Sequence, residues 1–191
     1  MPKIASTGDR KLARVHSFAP IVDKRAQVLI LGSMPGQASL AAGQYYAHPQ
    51  NAFWRIVADL LRCDRASPYP ARVAALKSAR IALWDVLQSC TREGSLDARI
   101  ERDTQVANDF PAFFRKHGKI GHVYFNGAKA EACFRRHLAG KISTGPIEYA
   151  RLPSTSPANA SLSFERKLRA WRMIVGPLRP GMIPEENRAD R

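Results

Sequence analysis

Short apolar runs alternate with amphipathic segments along the chain, and this alternation predicts the main elements. Uninterrupted apolar runs are typical of strands buried on both faces of a parallel sheet. Val28–Leu31 is such a run and predicts the first strand, and Ile81–Trp84 and Ile120–Phe125 are interpreted as the second and third. Ile147–Leu152, which alternates less cleanly, is interpreted as the fourth. Apolar residues at helical spacing predict helices at about 52–61, 71–77, 106–117, 128–138 and 163–175. Strands that alternate with helices indicate an α/β fold, a three-layer α/β/α sandwich with a mostly parallel four-stranded central sheet.

The segments between and beyond these elements predict loops and tails. Residues 1–25 are basic and read as an arm that could dock through Val15, Phe18 and Ile21; it is either a nonspecific DNA contact or a solvated tail. Residues 91–103 are polar and predict a loop over the sheet edge, and 177–191 predict a loose tail. With no repeat and no low-complexity insert, we expect residues 1–191 to form a single domain.

Composition narrows the class of protein. A hydrophobic content of 45% and a charged content of 24% are ordinary for a soluble globular protein. No apolar run approaches membrane-spanning length and no leader-like segment precedes Val28, so we expect a cytoplasmic protein. We also expect a monomer. Cys63, Cys90 and Cys133 lie far apart and cannot complete the four-thiolate ligation of an iron–sulfur cluster. We therefore expect reduced thiols and no metal.

Net charge points to a class of partner. Lys and Arg total 30 against 16 acidic residues, which gives a formal charge of +14. A balance this basic favours a polyanion, with nucleic acid the leading candidate and an anionic membrane surface the second. A general bias of composition toward arginine would give the same number, so charge alone does not decide.

The first predicted strand leads into the most informative stretch, VLILGSMPGQASLAAGQYYAHPQNAFW. Gly32 and Gly36 let the backbone turn and approach a ligand closely, while Pro35 prevents continued strand pairing. Aromatic and amide side chains then follow within ten residues, just beyond the carboxyl end of a strand, where open α/β sheets bind ligands. Stacking surface with hydrogen-bonding groups suits a planar nucleobase.

Three segments in this order, GSMPG, YYAHPQNAFW and LPSTSPANA, resemble the uracil-DNA glycosylase superfamily. They are most similar to its hypoxanthine-DNA glycosylase branch, and AHPxNxFW is also similar to the mismatch-specific uracil glycosylases. The resemblance runs from about Val28 to Trp171. It implies a monofunctional enzyme that hydrolyses the N-glycosidic bond of hypoxanthine or uracil in DNA, the first step of base excision repair. Water would be the nucleophile, with no cofactor and no lyase step.

Met34 is the main departure from the superfamily pattern. The resemblance places an Asp or Asn that handles the water at this position, and a thioether can neither accept a proton nor orient water. It offers Asn51 as the replacement catalytic residue. A second interpretation is that Asn51 caps the helix starting at Ala52, a position that favours asparagine.

The resemblance also implies a base-binding set. Tyr46 would stack on the base, which is worth roughly 1–3 kcal/mol. Asn126 would read the base edge, although an asparagine before Gly127 also suits a turn. His48 could donate to the base or a phosphate, or bond to backbone instead. The first loop would contribute Gly32, Ser33 and Met34.

The LPSTSPANA segment corresponds to the loop that grips the DNA backbone in the superfamily. Its DNA-binding candidates are Ser154, Thr155, Ser156, Pro157, Ala158 and Asn159. Hydroxyls and backbone amides suit phosphate oxygens. Ser154 replaces a histidine of some relatives, and Ala158 replaces a leucine that fills the gap left by the base, so extrusion could be weaker. A plain Ser/Pro-rich connector is the alternative.

Two further functions stay open from the sequence. Met34 motivates a catalytically inactive nucleic-acid-binding module with the same fold. An enzyme that uses GSMPG as a phosphate loop is less favoured, because the GxxxxGK[ST] lysine is missing. Asp85, at the end of the second strand, could be a general base or could position the substrate, although a structural acceptor is the commoner role; Asp97 is a weaker candidate.

Overall fold

The computed structural model describes residues 14–92, 100–138, 140–142 and 146–178. The first half of the predicted arm, Asp97 and most of the predicted C-terminal tail lie outside the described residues.

Within this part of the chain there are seven strands and six α-helices. The strands are β1 (Arg14–His16), β2 (Val28–Gly32), β3 (Ile81–Asp85), β4 (Leu87–Thr91), β5 (Val106–Ala107), β6 (His122–Asn126) and β7 (Glu148–Leu152). The helices are α1 (Gln37–Ala42), α2 (Phe53–Leu61), α3 (Tyr69–Ser78), α4 (Phe110–Lys116), α5 (Ala128–Leu138) and α6 (Phe164–Trp171).

A four-stranded parallel sheet of order β3-β2-β6-β7 lies at the centre. Every residue of β2 and β3 is buried, as their continuous apolar sequences predicted. Helices α3 and α6 pack on α2, and α5 packs on β6. The predicted α/β/α sandwich with a four-stranded parallel sheet is confirmed. The chain passes from β2 to β3 on one side, then returns past β2 to β6 and continues outward to β7, so the direction of winding reverses between β2 and β6.

A second, antiparallel sheet of order β1-β4-β5 corrects two predictions. The helix predicted over 106–117 begins as strand β5, and α4 starts only at Phe110, where Asp109 caps it by accepting a hydrogen bond from the Ala112 N–H at 2.9 Å. The loop predicted over 91–103 begins inside β4 and contains a 3₁₀ turn at Arg102–Thr104. The strands of this sheet are short and mix polar with apolar residues, so neither a helical nor a strand periodicity predicts them.

Residues 14–21 of the basic arm contact the body of the protein. Strand β1 pairs with β4 through Val15 and Cys90, and Ile21 is buried against Leu83. Phe18 packs partly buried against the core. Docking through Val15, Phe18 and Ile21 is therefore seen.

The last helix is shorter than the 163–175 predicted. It ends at Trp171 and continues as a 3₁₀ turn at Arg172–Ile174. Lys167, a charged residue on this helix, is only 6% exposed. The three cysteines are thiols, with Cys90 and Cys133 buried. None of the helices in the described ranges has the length and apolarity needed to cross a bilayer.

Candidate active site

A cavity of about 450 Å³ opens at the carboxyl ends of β2, β3 and β6. It lies at the point where winding reverses, the usual ligand site of open α/β sheets. All the residues that the sequence predicted for the site line it: Gly32, Ser33, Met34, Tyr46, His48, Asn51, Asn126, Ser154, Thr155, Ser156, Pro157, Ala158 and Asn159. Segments up to 127 residues apart in the chain therefore meet in one place.

The first loop forms the floor of the cavity, and its backbone is held rigidly. Gly32, Ser33 and Met34 are buried. The carbonyls of Gly32 and Ser33 accept hydrogen bonds from the amides of Val86 and Leu87, at 2.8 and 3.1 Å. The buried Arg92 guanidinium donates to the Pro35 carbonyl at 2.6 Å. These hydrogen bonds fix the loop against strand β4 and against Val86, the residue that precedes this strand.

Close packing requires glycine at position 32. A methyl group added there would overlap the Asp85 carboxylate and would lie 2.9 Å from the Tyr46 hydroxyl oxygen. The Asp85 carboxylate oxygen and the Tyr46 hydroxyl oxygen therefore both lie beside the Gly32 Cα atom at the bottom of the cavity. Asp85 is 3% exposed, and its backbone carbonyl accepts a hydrogen bond from Asn108 at 2.8 Å, which fixes the end of β3.

The two tyrosines of the YYAHPQNAFW segment have different surroundings. Tyr46 has a φ of 54°, in the left-handed region, and its ring stacks on Phe53 with centroids 4.1 Å apart. Tyr45 is buried, and burial, with the nearby Asp85 charge as a smaller cause, raises its pKa far above the ordinary value. Its hydroxyl donates to the carbonyls of Phe18 and Ala19. Tyr45 is thus a neutral structural phenol, while Tyr46 is fixed at the cavity wall.

Asn51 and His48 line the cavity while also bonding to backbone. The Asn51 Oδ1 atom accepts a hydrogen bond from the Phe53 amide at 3.0 Å, at the start of α2. The exposed His48 accepts one from the Gln50 amide through Nδ1 at 3.2 Å. α2 begins at Phe53 and not at Ala52, and its N-cap, Ala52, has no side-chain cap bond, so Asn51 holds the helix entrance from one residue before the cap. His48 fixes its own loop. These bonds leave the Asn51 Nδ2 group and the His48 Nε2 atom as the parts that a substrate could use.

Asn126 joins the end of β6 to the LPSTSPANA loop. Its Oδ1 accepts from the Thr155 amide and its Nδ2 donates to the Thr155 hydroxyl, both at 2.8 Å. Thr155 is 1% exposed. Next to this pair Gly127 has a φ of 95°, and an added Cβ would lie 2.9 Å from that of Ser154. About half of the hydrogen-bonding capacity of the Asn126 amide is thus used inside the protein, which leaves one N–H and one lone pair for a base.

The LPSTSPANA loop forms the rim, and its own side chains shape it. The Asn159 Nδ2 donates to the Ser154 carbonyl at 3.0 Å, and the Ser156 hydroxyl accepts from the Ala158 amide at 3.3 Å. Buried Lys167 donates from Nζ to the Asn159 carbonyl at 2.7 Å, and burial lowers the pKa of this amine. Pro157 and Ala158 remain exposed at the tip.

Some cavity residues were missed or undervalued by the sequence reasoning. Gln37 and Ser39 belong to α1, a six-residue helix that no apolar periodicity marks. The sequence left the role of Asp85 open, although its position at the end of a strand indicated the edge of the sheet where ligands bind. Among the described residues, no group of three or more His, Cys, Asp or Glu side chains could hold a metal ion.

Comparison with known proteins identifies the family. The model of the Uracil DNA glycosylase superfamily matches residues 19–174. The chain belongs to this superfamily. A protein of Methanosarcina acetivorans named hypoxanthine DNA glycosylase is 36% identical over 160 residues, which is 83% of this chain and 96% of the relative. One of the same name from Methanosarcina barkeri is 40% identical over 60% of this chain and 72% of its own length.

A solved structure supports the same assignment. The solution NMR structure of a Methanosarcina acetivorans protein, provisionally described as a uracil DNA glycosylase, superposes with a TM-score of 0.69 at 32% identity. The match covers 85% of this chain and 99% of the other. The predicted resemblance to the uracil DNA glycosylase superfamily, and to hypoxanthine DNA glycosylases within it, is thereby confirmed.

Proposed function

We propose that this superfamily member is a monofunctional DNA glycosylase that hydrolyses the N-glycosidic bond of hypoxanthine or uracil in DNA. The observation that carries the proposal is the single cavity in which all three sequence motifs meet beside the stacked Tyr46 ring. Its volume lies within the roughly 300–1,000 Å³ typical of ligand pockets. The relatives named hypoxanthine DNA glycosylase support this substrate class. Nothing in the comparisons favours the inactive binding module.

The proposed reaction needs one positioned water molecule, an extruded base and a site from which bulk solvent is excluded. Met34 is 6% exposed and lines the cavity with an apolar side chain. A bound base that displaced water from this surface would strengthen the polar contacts inside. Asn51 is the proposed positioner of the attacking water. The Phe53 amide holds its carboxamide in one orientation, and fixed orientation is what positioning requires.

DNA would lie across the rim. The rim loop is followed by α6, on which Arg166 and Arg169 are exposed, and by the 3₁₀ turn, which begins with the exposed Arg172. Together with the exposed loop tip, these guanidinium groups suit phosphate oxygens on either side of the extruded nucleotide. Deaminated bases arise in chromosomal DNA, so the proposal places the protein in the cytoplasm at the nucleoid. It also takes the protein to act as a monomer.

The proposal includes no lyase step. A lyase needs an amine that can attack the sugar, and the described residues lining the cavity include no lysine. Lys167 is buried with its amine on the Asn159 carbonyl, behind the rim. Borohydride should therefore trap no covalent protein–DNA adduct, and the DNA strand should stay intact until alkali is added.

The direct test is release of the base. The full chain, in excess over duplexes carrying one deoxyinosine or one deoxyuridine, should release the base, identified by mass spectrometry, and leave an alkali-labile site. Undamaged duplex of the same sequence is the substrate control. Salt-dependent DNA binding without release from either substrate would contradict the proposal and favour the inactive module.

Two variants separate the catalytic role of Asn51 from capping. Asn51→Ser keeps a capping oxygen, whereas Asn51→Ala removes it and should lower stability by about 1 kcal/mol. Both lose the carboxamide that positions water, so excision should fall roughly 100-fold or more in each. Single-turnover rates and melting temperatures measure the two effects. An Asn51→Ser protein with normal excision would show that Asn51 acts only as a cap.

A further inference from the structure

Tyr46, on the cavity wall, has an unusual backbone conformation. Its φ of 54° lies in the left-handed region. Arg62 and Arg80 are the other non-glycine residues with positive φ in the described ranges, and both lie where a helix ends, a place where this conformation is common. Tyr46 instead lies in a turn beyond Gly43, the C-cap of α1. A left-handed tyrosine costs free energy and persists only where the surrounding structure determines it.

Side chains from α2 and α3 hold the residue that precedes Tyr46. The Trp54 indole donates from Nε1 to the Tyr45 carbonyl at 2.7 Å, a buried bond that fixes the peptide plane between Tyr45 and Tyr46. The Tyr69 hydroxyl accepts from the Tyr45 amide at 3.1 Å. The rings of Trp54 and Tyr69 meet edge to face with centroids 5.6 Å apart. These two side chains, the Trp54–Tyr69 clamp, therefore hold both backbone polar groups of Tyr45.

The clamp determines where the Tyr46 ring lies. Because the preceding peptide plane is fixed, the φ of Tyr46 sets the direction of its side chain, and the ring stacks on Phe53 with centroids 4.1 Å apart. On the other side of Tyr46, the Ser39 hydroxyl accepts from the Ala47 amide at 3.2 Å. Relaxation of Tyr46 to the ordinary negative φ would redirect its Cα–Cβ bond and carry the ring away from Phe53.

We propose that Trp54 and Tyr69 are positioning residues for the reaction: through the Tyr45 backbone they hold the Tyr46 ring in the orientation that stacks on an extruded base. This inference rests on the proposed function, in which Tyr46 is the stacking surface. Neither Trp54 nor Tyr69 lines the cavity, so both act through Tyr46. A ring that is fixed before DNA binds needs no ordering when the base arrives, and supporting hydrogen bonds of this kind provide that preorganisation.

The main test is a double-mutant cycle between Tyr69 and Tyr46. Tyr69→Phe removes only the hydroxyl that accepts from the Tyr45 amide. Single-turnover excision at saturating protein is measured for the wild type, Tyr69→Phe, Tyr46→Ala and the double variant, on whichever of deoxyinosine or deoxyuridine the wild type excises faster. Loss of one buried hydrogen bond should slow excision about 2- to 10-fold when the Tyr46 ring is present. In the Tyr46→Ala background the same substitution should slow it less than about 2-fold, because the ring that the bond positions is gone.

A second variant and a control accompany the cycle. Trp54→Phe removes the indole N–H, keeps an aromatic ring, and should show the same dependence on Tyr46; if it does not fold, Tyr69→Phe decides. Tyr124→Phe is the matched control, because the Tyr124 hydroxyl donates to the Met173 carbonyl at 2.9 Å outside the cavity. It should lower the melting temperature as Tyr69→Phe does and leave the excision rate unchanged in both backgrounds.

The outcomes separate positioning from folding, and this inference from the proposed function. A purely structural clamp would slow excision by the same factor with and without the Tyr46 ring, and this result would overturn the inference alone. Normal excision by folded Tyr69→Phe and Trp54→Phe proteins would overturn it as well. A wild type that releases neither hypoxanthine nor uracil would overturn the proposed function, and the inference with it.

Discussion

The floor and the rim of the cavity are built in different ways. The floor consists of strand ends and the first loop, which the parallel sheet and the amides of Val86 and Leu87 hold in place. The rim is a loop without regular structure, held by side chains from distant elements: Asn126, Lys167 and Trp171, the last of which donates to the Pro153 carbonyl at 2.9 Å.

This difference suggests a division of labour. Base selection needs atoms fixed within a fraction of an ångström, which buried strand ends provide. Gripping a DNA backbone of any sequence needs exposed amides, hydroxyls and positive charge at the surface. We therefore expect changes in the floor to act on excision and changes in the rim to act on DNA affinity.

The largest effect is expected from Gly32→Ala. The added methyl group overlaps the Asp85 carboxylate and crowds the Tyr46 hydroxyl, so both must shift. Displacements of this size reduce catalysis by about 100-fold. Single-turnover excision should fall by this factor, while fluorescence anisotropy should show unchanged DNA affinity. Gly121→Ala is the matched control, because its added Cβ meets no atom within 4 Å. Normal excision by Gly32→Ala would refute the described floor.

A smaller effect is expected from Thr155→Val in the rim. The substitution keeps the side-chain shape and removes the hydroxyl that accepts from Asn126. Loss of this buried bond should cost about 1 kcal/mol and lower the melting temperature by about 2–4 °C. DNA affinity should weaken roughly five-fold as the loop loosens. Thr91→Val, on β4 outside the cavity, is the control. Unchanged affinity with slower excision would contradict the assignment of the rim to DNA binding.

The smallest effect concerns pH and Lys167. Burial lowers the pKa of this amine below its ordinary 10.5, so at pH values between the two the unfolded chain binds more protons than the folded one. Folding stability must then rise with pH in that window and stay flat with respect to this group below it. The difference in free energy of unfolding between the wild type and Lys167→Met should therefore increase as pH approaches about 10.5. A constant or falling difference in chemical denaturation would contradict the buried, shifted amine.

The central parallel sheet could be predicted from the sequence, whereas the antiparallel sheet of β1, β4 and β5 could not, and the reason is physical. Strands β2 and β3 are buried on both faces, so their apolar runs are strong signals. Strand β5 has two residues, and its pairing with β4 depends on contacts that no local pattern records. The helix predicted over 106–117 was wrong at its start for that reason.

The site was predicted as a set of residues but not as a set of contacts. Motif order placed Asn51, Tyr46, Asn126 and the rim loop correctly on one cavity. The pairing of Asn126 with Thr155, 29 residues away, and the burial of Lys167 under Asn159 follow only from the folded chain. Asp85 shows the same limit, because its position against Gly32 depends on strand register rather than on local sequence.

The measurement that tests the central claim most directly determines two parameters on one inosine-containing duplex. The excision rate at saturating protein and the dissociation constant for DNA are compared among the wild type, Gly32→Ala and Thr155→Val. We expect crossed effects: Gly32→Ala loses rate and keeps affinity, and Thr155→Val loses affinity and keeps most of its rate. Loss of the same parameter in both variants would contradict the division between a base-selecting floor and a DNA-holding rim.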